Sequence, residues 1–162
     1  MSERIGQFYP LQEEIMISVK TYIKNNNEFV EFSHYTEAFK DSFYIEGAIE
    51  LTINGVVIFD KEMWDYIDQL WSYIADGIIC IQDNQPFETY FPGQPIKVSF
   101  MPIKEGVSVS VTCDKEMKVK VAKKEFVNEI SKHVIVFFDY LRKKDLSFNR
   151  KYDELLSLLG KG

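Results

Sequence analysis

The sequence predicts an α+β fold in two layers: an antiparallel β-sheet of about six or seven strands, with helices on one face only. Three features lead to this prediction. Residues 107 to 113, VSVSVTC, alternate apolar and small polar side chains, as a half-buried strand does. The Asn54-Gly55 pair separates two apolar segments, as in a tight hairpin. Two segments, residues 60 to 77 and about 123 to 144, carry apolar side chains at helical spacing.

Residues 11 to 24 could form either a strand or a helix. The run IMISVKTYI, residues 15 to 23, alternates β-branched residues with other side chains, which favours a strand. Pro10 before this run, and Lys24 followed by three asparagines after it, are helix start and stop signals. We prefer the strand because β-branched residues are numerous on one side. The asparagines at 25 to 27 then predict a turn, after which EFVEFSHY returns as a second strand.

A β-hairpin is predicted at Asn54 and Gly55, because this pair readily adopts the positive φ angles of a type I′ turn. The segment before it, FYIEGAIELTI, alternates between apolar and polar positions. Its inward set is Ile45, Ile49, Leu51 and Ile53, and its outward set is Glu46, Glu50 and Thr52. The segment VVIF, residues 56 to 59, should fold straight back as the hairpin partner.

The segment DKEMWDYIDQLWSYIADG, residues 60 to 77, predicts an amphipathic helix with Asp60 as its N-cap. At 100° per residue Trp64 and Trp71 fall on the apolar arc, so both should face the core. The opposite arc holds Glu62, Asp65, Tyr66, Gln69, Tyr73 and Asp76, with Asp68 at its edge. Two tyrosines among carboxylates on a solvent face predict a surface that binds a partner.

A C-terminal meander follows a Pro92-Gly93 turn. The segments IKVSF, VSVSVTC and MKVKV each have one apolar and one polar face, which is typical of antiparallel strands with one face in water. Val107, Val109, Val111, Cys113 and Met117 are among the residues expected to point inward. If all strands share one sheet, the outer face is bipolar: Glu46 and Glu50 lie at one side and Lys97, Lys118 and Lys120 at the other.

Helices should cover only the apolar face of this sheet. The second long helix, from about Lys123 to Lys144, turns its apolar side chains to the core. These are Phe126, Ile130, Val134, Phe137 and Leu141. A short amphipathic helix from about Arg150 to Leu159 closes the chain.

The chain length and composition predict one globular domain, residues 1 to 162. Hydrophobic residues make up 46% and aromatic residues 15% of the sequence, and no long linker or repeat divides it. No uncharged apolar run approaches the roughly 18 residues of a membrane span, so no membrane partner is predicted. The start MSERIGQFYP lacks a signal-peptide pattern, so we expect a cytoplasmic location. Cys80 and Cys113 are expected to be buried free thiols.

The charge is distributed unevenly along the chain, whose formal net charge is −6. Residues 1 to 96 carry sixteen acidic and five basic side chains, whereas residues 97 to 162 carry nine and fourteen. A duplex-binding protein needs clustered lysine and arginine, so no nucleic-acid partner is predicted. The acidic N-terminal half favours a basic protein partner instead.

The sequence predicts no catalytic, metal or cofactor site. None of the glycine motifs GxGxxG, GxxxxGK[ST] or GxSxG occurs. His34 and Glu37 have the spacing of two metal ligands, but no further ligand accompanies them in the sequence. His133 borders the apolar arc of the second long helix, and the sequence places no serine or cysteine nucleophile beside it. We therefore expect a protein that is not an enzyme.

The run from Phe43 to roughly Leu141 contains SFYIEGAIELTING, DQLWSYIADGI, FPGQPIKVSF, VSVSV and a helix that opens with EF and ends in FFDYL. It resembles small uncharacterised bacterial proteins, some of which look like immunity proteins encoded next to secreted polymorphic toxins. These signatures are structural, so the resemblance implies no functional residue. It implies a cytosolic inhibitor as the functional class.

We expect a cytoplasmic immunity protein or antitoxin that blocks a basic protein partner through the acidic, tyrosine-bearing surface described above. The alternative is a structural or regulatory protein that forms a homodimer through a sheet edge or the polar face of its sheet. A small hydrolase with its site in loops around His34 is a second alternative, and an acidic mimic of nucleic acid is a weaker third one.

Overall fold

The computed structural model describes residues 15–160, in which nine strands and three α-helices form an α+β fold. The strands are β1 (Ile17–Asn25), β2 (Glu28–Glu31), β3 (Glu46–Ile53), β4 (Val56–Phe59), β5 (Asp65–Tyr66), β6 (Phe87–Tyr90), β7 (Lys97–Ile103), β8 (Gly106–Cys113) and β9 (Lys115–Val121). The helices are α1 (Ile67–Gln82), α2 (Lys123–Lys144) and α3 (Asn149–Leu159). The MSERIGQFYP start, with Pro10, and residues 11 to 14 of the ambiguous first segment lie outside the described residues.

The strands form two antiparallel sheets, so the expectation of a single sheet with six or seven strands is wrong. One sheet has the order β2-β1-β3-β4, with β5 paired to the start of β3, and the other has the order β6-β7-β8-β9. The short strand β4 lies beside β9 without forming a ladder with it. Lys97, Lys118 and Lys120 therefore lie on a different sheet from Glu46 and Glu50.

Residues Ile17–Asn25 form a strand, as the alternation of β-branched residues predicts. β1 is bonded on both edges, to β2 and to β3, which leaves no backbone group for a helical ladder. Thr21 and Ile23 point into the core and are buried. Asn26, at φ 60°, makes the turn to β2.

The hairpin between β3 and β4 is also confirmed. Asn54 and Gly55 have φ angles of 48° and 85°, the left-handed conformation that a type I′ turn requires. The four residues predicted to face inward on this strand are all buried, namely Ile45, Ile49, Leu51 and Ile53. Glu46 and Glu50, predicted to point the other way, are half-buried.

The meander β7-β8-β9 is confirmed, and β6 extends it at the β7 edge. Val107, Val109 and Val111 are buried as predicted. Cys113 and Met117 are exposed, contrary to expectation. Cys113 flanks the tight β8–β9 turn, and Met117 lies on β9, the edge strand of this sheet. The expectation of two buried thiols is therefore wrong: Cys113 is exposed and Cys80 is half-buried.

The two long helices join the two sheets into one core. α1 packs against β3 and β7, and α2 packs against β1 and β8. All five apolar residues predicted to face inward on α2 are buried, namely Phe126, Ile130, Val134, Phe137 and Leu141. α3 packs against α2 and buries Leu155 and Leu159.

Candidate functional site

The chain between Asp60 and Ile67 is not α-helical, so the prediction of one helix from Asp60 is wrong in its first part. Asp60 does act as a cap, but of a short 3₁₀ helix, Lys61–Met63. Trp64 is extended, and Asp65–Tyr66 pair with β3 as strand β5. The α-helix begins only at Ile67.

The buried carboxylate of Asp65 explains this departure from the helical pattern. Its oxygens accept the backbone N–H groups of Gly93 and Gln94 at 2.9 Å each, and that of Tyr66 at 2.7 Å. A buried carboxylate needs such donors to offset its loss of hydration. Asp65 is 3% exposed, so the expectation that it lies on the solvent face of a helix is wrong.

The two tryptophans lie in opposite environments, although both were expected to face the core. Trp71, on α1, is 1% exposed, whereas Trp64 is 36% exposed. Trp64 precedes α1, so helical spacing does not determine which way its side chain points. Its backbone carbonyl accepts the side-chain amide of Gln94, which ties it to the same loop that binds Asp65.

Three aromatic side chains, Tyr44, Trp64 and Tyr66, lie at the start of β3, and we call them the aromatic patch. Tyr44 is 58% exposed, and its ring meets that of Tyr66 edge-on with 5.3 Å between centroids. Trp64 and Tyr66 line the same surface depression. Phe43, the neighbour of Tyr44 in the chain, is 80% exposed. The patch places large apolar rings in water on the polar side of the sheet.

A charged pair lies beside this patch. Glu46 on β3 is directly opposite Tyr66 on β5, and its Oε1 is 3.6 Å from the Nζ of Lys24 on β1. The same Nζ lies 4.5 Å from the centroid of the Trp64 ring, which is cation–π range. The lysine ammonium is thus shared between a carboxylate and an aromatic face.

Two depressions flank the contact between Tyr44 and Tyr66. The first, of about 230 Å³, is lined by Glu46, Trp64, Asp65, Tyr66, Gly93 and Gln94. The second, of about 180 Å³, has Tyr44 and Glu46 in its wall together with the rings of Tyr35 and Phe39. Glu46 lines both depressions. Aromatic walls around a carboxylate suit a cationic side chain.

The structure does not bring all six predicted surface residues together. Tyr66 is half-buried within the aromatic patch, and Glu62 is exposed on the 3₁₀ helix before it. Gln69 and Tyr73 are half-buried on α1, and Asp76 is exposed there. None of these three helix residues lines either depression. Asp65 is buried, as described above.

Asp68, at the edge of the predicted surface, is partly buried in the first turn of α1. Its Oδ1 has no hydrogen-bond partner. Loss of hydration raises its pKa from 3.8 to about 6, although backbone N–H groups of the helix start lower it in part. This residue resists ionisation and does not contribute a full charge at mildly acidic pH.

Sequence reasoning missed Tyr44 and Lys24. Tyr44 lies two residues before Glu46, and strand alternation would have placed the two side chains on one face. Nothing in the sequence near Lys24 indicates its place beside Glu46, because that place depends on the register of β1 against β3.

A hydroxyl, an imidazole and an indole meet in the core. Thr21 Oγ1 lies 2.7 Å from His133 Nε2 and accepts the Nε1–H of Trp71 at 2.8 Å. Burial lowers the pKa of His133 to about 4, so its ring is neutral at pH 7. A hydroxyl and an imidazole at this distance also make a nucleophile and base pair. Thr21 is fully buried, however, so no substrate can reach the hydroxyl in this conformation.

His34 and Glu37, the other sequence candidates for chemistry, are both exposed. Within residues 15–160, no three His, Cys, Asp or Glu side chains are grouped so that they could hold a metal ion. In the same part of the chain, no helix has the length and apolar character needed to cross a membrane.

Comparisons of the chain with family models, with curated proteins and with solved structures give no match.

Proposed function

We propose that this protein is a cytoplasmic binding protein of the immunity or antitoxin type, which blocks a basic protein partner with its aromatic patch. The observation that supports this most is the exposure of Tyr44 and Trp64 beside the carboxylate of Glu46. Tyrosine and tryptophan bury a large apolar area at low cost in side-chain entropy, and they are enriched among the residues that dominate binding energy.

The charge around the patch fits a basic partner. Between residues 29 and 95 there are twelve acidic side chains and only two basic ones, Lys40 and Lys61. Asp41 and Glu62 are exposed on either side of the patch in the chain. Such a field accelerates encounter with a positively charged protein and disfavours nucleic acid.

Two of the three patch residues, Trp64 and Tyr66, are held by anchored or paired backbone, which lowers the entropy lost on binding. Tyr66 lies on a strand paired with β3, and the segment with Trp64 is anchored by Asp65 to the loop at Gly93 and Gln94. Rings ordered before binding lose little freedom when the partner arrives. Inhibition would be stoichiometric, by coverage of the partner, with no cofactor required.

The test is co-expression with a basic toxin encoded next to this gene, followed by measurement of cell survival and of the dissociation constant. We expect Tyr44→Ala with Trp64→Ala to weaken binding by about tenfold or more. Tyr90→Ala is the matched control, because Tyr90 is 59% exposed, like Tyr44, but lies on β6 of the other sheet. Equal affinity for the patch variant and the control would refute the proposal.

The surface that the sequence predicts on the solvent side of α1 is tested by a separate variant, Tyr73→Ala with Asp76→Lys. If this variant weakens binding as much as the patch variant, the docking surface extends along α1. If it leaves the dissociation constant unchanged, the surface is confined to the sheet face at the start of β3.

A homo-oligomer is the second candidate function, and one observation favours it. Met101 and Ile103 are 48% and 38% exposed on the polar face of the second sheet, beside the small side chain of Ser108. A second copy could cover these apolar groups. Sedimentation at micromolar concentration tests this directly, and a monomer at that concentration would exclude a stable dimer.

A further inference from the structure

We propose that the depression between Trp64 and Tyr66 binds an arginine side chain, and that Lys24 competes with this arginine for Glu46. That the arginine belongs to the basic partner rests on the function proposed above. The chemistry of the depression itself does not depend on that function.

The lining of the depression is selective for a cation. It contains two aromatic rings, Trp64 and Tyr66, and two carboxylates, Glu46 and Asp65. Among the described residues, no lysine or arginine lines it. The floor is stiff, since Asp65 is fixed by three backbone N–H groups. A cation entering here meets negative potential from both carboxylates.

The protein already places one of its own cations at the edge of this site. Lys24 Nζ contacts the Trp64 ring and the Glu46 carboxylate from the neighbouring depression, whose wall Lys24 helps to form. This contact shows that Trp64 and Glu46 together can hold a positive charge. It also means that part of the charge of Glu46 is neutralised before any partner binds.

Lys24 leaves some of the contacts that Glu46 and Trp64 can make to a cation unused. Its Nζ is 3.6 Å from Glu46 Oε1, which exceeds the 2.7 to 3.2 Å of a direct hydrogen bond. Trp64 also stays 36% exposed as a residue. An arginine guanidinium is planar, stacks on an aromatic face and donates two parallel hydrogen bonds to a carboxylate. It can therefore make contacts with Trp64 and Glu46 that the lysine leaves unmade.

The experiment uses the full chain and a capped tetra-arginine peptide as the probe. The indole N–H signals of Trp64 and Trp71 are followed by NMR and assigned with Trp64→Phe. We expect the Trp64 signal to shift in a saturable way while that of buried Trp71 does not. A tetra-citrulline peptide, which has nearly the same shape without the charge, should leave Trp64 unchanged. Equal shifts with both peptides, or none with arginine, would overturn the proposal.

Two variants test the competition. Glu46→Gln should raise the dissociation constant of the arginine peptide about tenfold, because it removes the carboxylate. Lys24→Met should lower it severalfold, because methionine keeps an apolar stem against Trp64 but frees Glu46. If Lys24→Met weakens the peptide instead, the lysine supports the site and does not compete.

The two proposals can fail separately. If patch variants abolish partner binding but the arginine peptide does not shift Trp64, the proposed function stands and the arginine site is wrong. If the peptide binds at Trp64 but the partner is insensitive to the patch, the arginine site stands and the proposed function is wrong.

Discussion

Thr21 Oγ1 lies 2.7 Å from His133 Nε2, although 112 residues separate the two side chains in the chain. The same oxygen accepts the indole N–H of Trp71. One hydroxyl on β1 therefore joins the two long helices to the first sheet. In a buried setting each of these polar groups depends on the others for a partner.

Replacement of Thr21 by valine should destabilise the protein by about 2–4 kcal/mol. Valine has nearly the same shape, so the loss comes from the buried indole N–H of Trp71 and the imidazole nitrogen of His133, both left without a partner. Urea denaturation monitored by fluorescence measures the free energy of unfolding. Thr21→Ser is the control: it keeps the hydroxyl, and we expect it to cost only about 1 kcal/mol for the lost methyl group. Equal losses for both variants would show that the hydroxyl contributes little.

His133 should make the protein less stable as the pH falls. Burial lowers the pKa of His133 from 6.5 to about 4, so the folded state binds the proton less readily than the unfolded state does. The contribution of neutral His133 to the free energy of unfolding is complete above pH 6.5 and is lost as the pH falls through 4. The shift corresponds to roughly 3 kcal/mol over that range.

His133→Gln tests this contribution, because glutamine keeps a hydrogen-bond acceptor and does not titrate. We expect the variant to lose less stability than the original protein between pH 6.5 and pH 4. Urea denaturation at several pH values gives the slope. The same slope in both proteins would mean that another group causes the acid sensitivity.

Asp68 should have the opposite effect on stability from His133: its contribution to the free energy of unfolding falls as the pH rises. Its pKa is raised from 3.8 to about 6, so the folded state binds this proton more readily than the unfolded state does. The stability it contributes is present below pH 3.8 and is lost as the pH rises through 6. Asp68→Asn should therefore raise the free energy of unfolding at pH 7 and change it little near pH 4. An equal gain at both pH values would show that ionisation is not the cause.

Asp65→Ala should loosen the segment that holds Trp64. The variant leaves the N–H groups of Gly93 and Gln94 without their carboxylate, which costs about 1–3 kcal/mol. We expect acrylamide to quench the tryptophan fluorescence more strongly in the variant, because Trp71 stays buried and only Trp64 gains exposure. Asp76→Ala, at an exposed position of α1, is the control and should leave the quenching unchanged. Unchanged quenching in Asp65→Ala would show that the loop does not position Trp64.

Patterns that repeat within a few residues were sufficient to predict several elements. The inward apolar residues of β3, the inward valines of β8, the Asn54-Gly55 turn and the apolar stripe of α2 all appear in the structure as predicted. Each of these patterns reflects burial of one side of a single element, and that burial is encoded locally. The acidic composition of the N-terminal half is likewise a property of the sequence alone.

Only the tertiary structure decided where α1 begins and which face Trp64 occupies. The helical pattern in residues 60 to 77 extends through Asp65, but the donors that this carboxylate binds, Gly93 and Gln94, are 28 and 29 residues away. The division into two sheets and the pairing of Lys24 with Glu46 likewise depend on strand register. Periodicity records which side of a segment is apolar, whereas these features depend on contacts between segments, which form only when the whole chain folds.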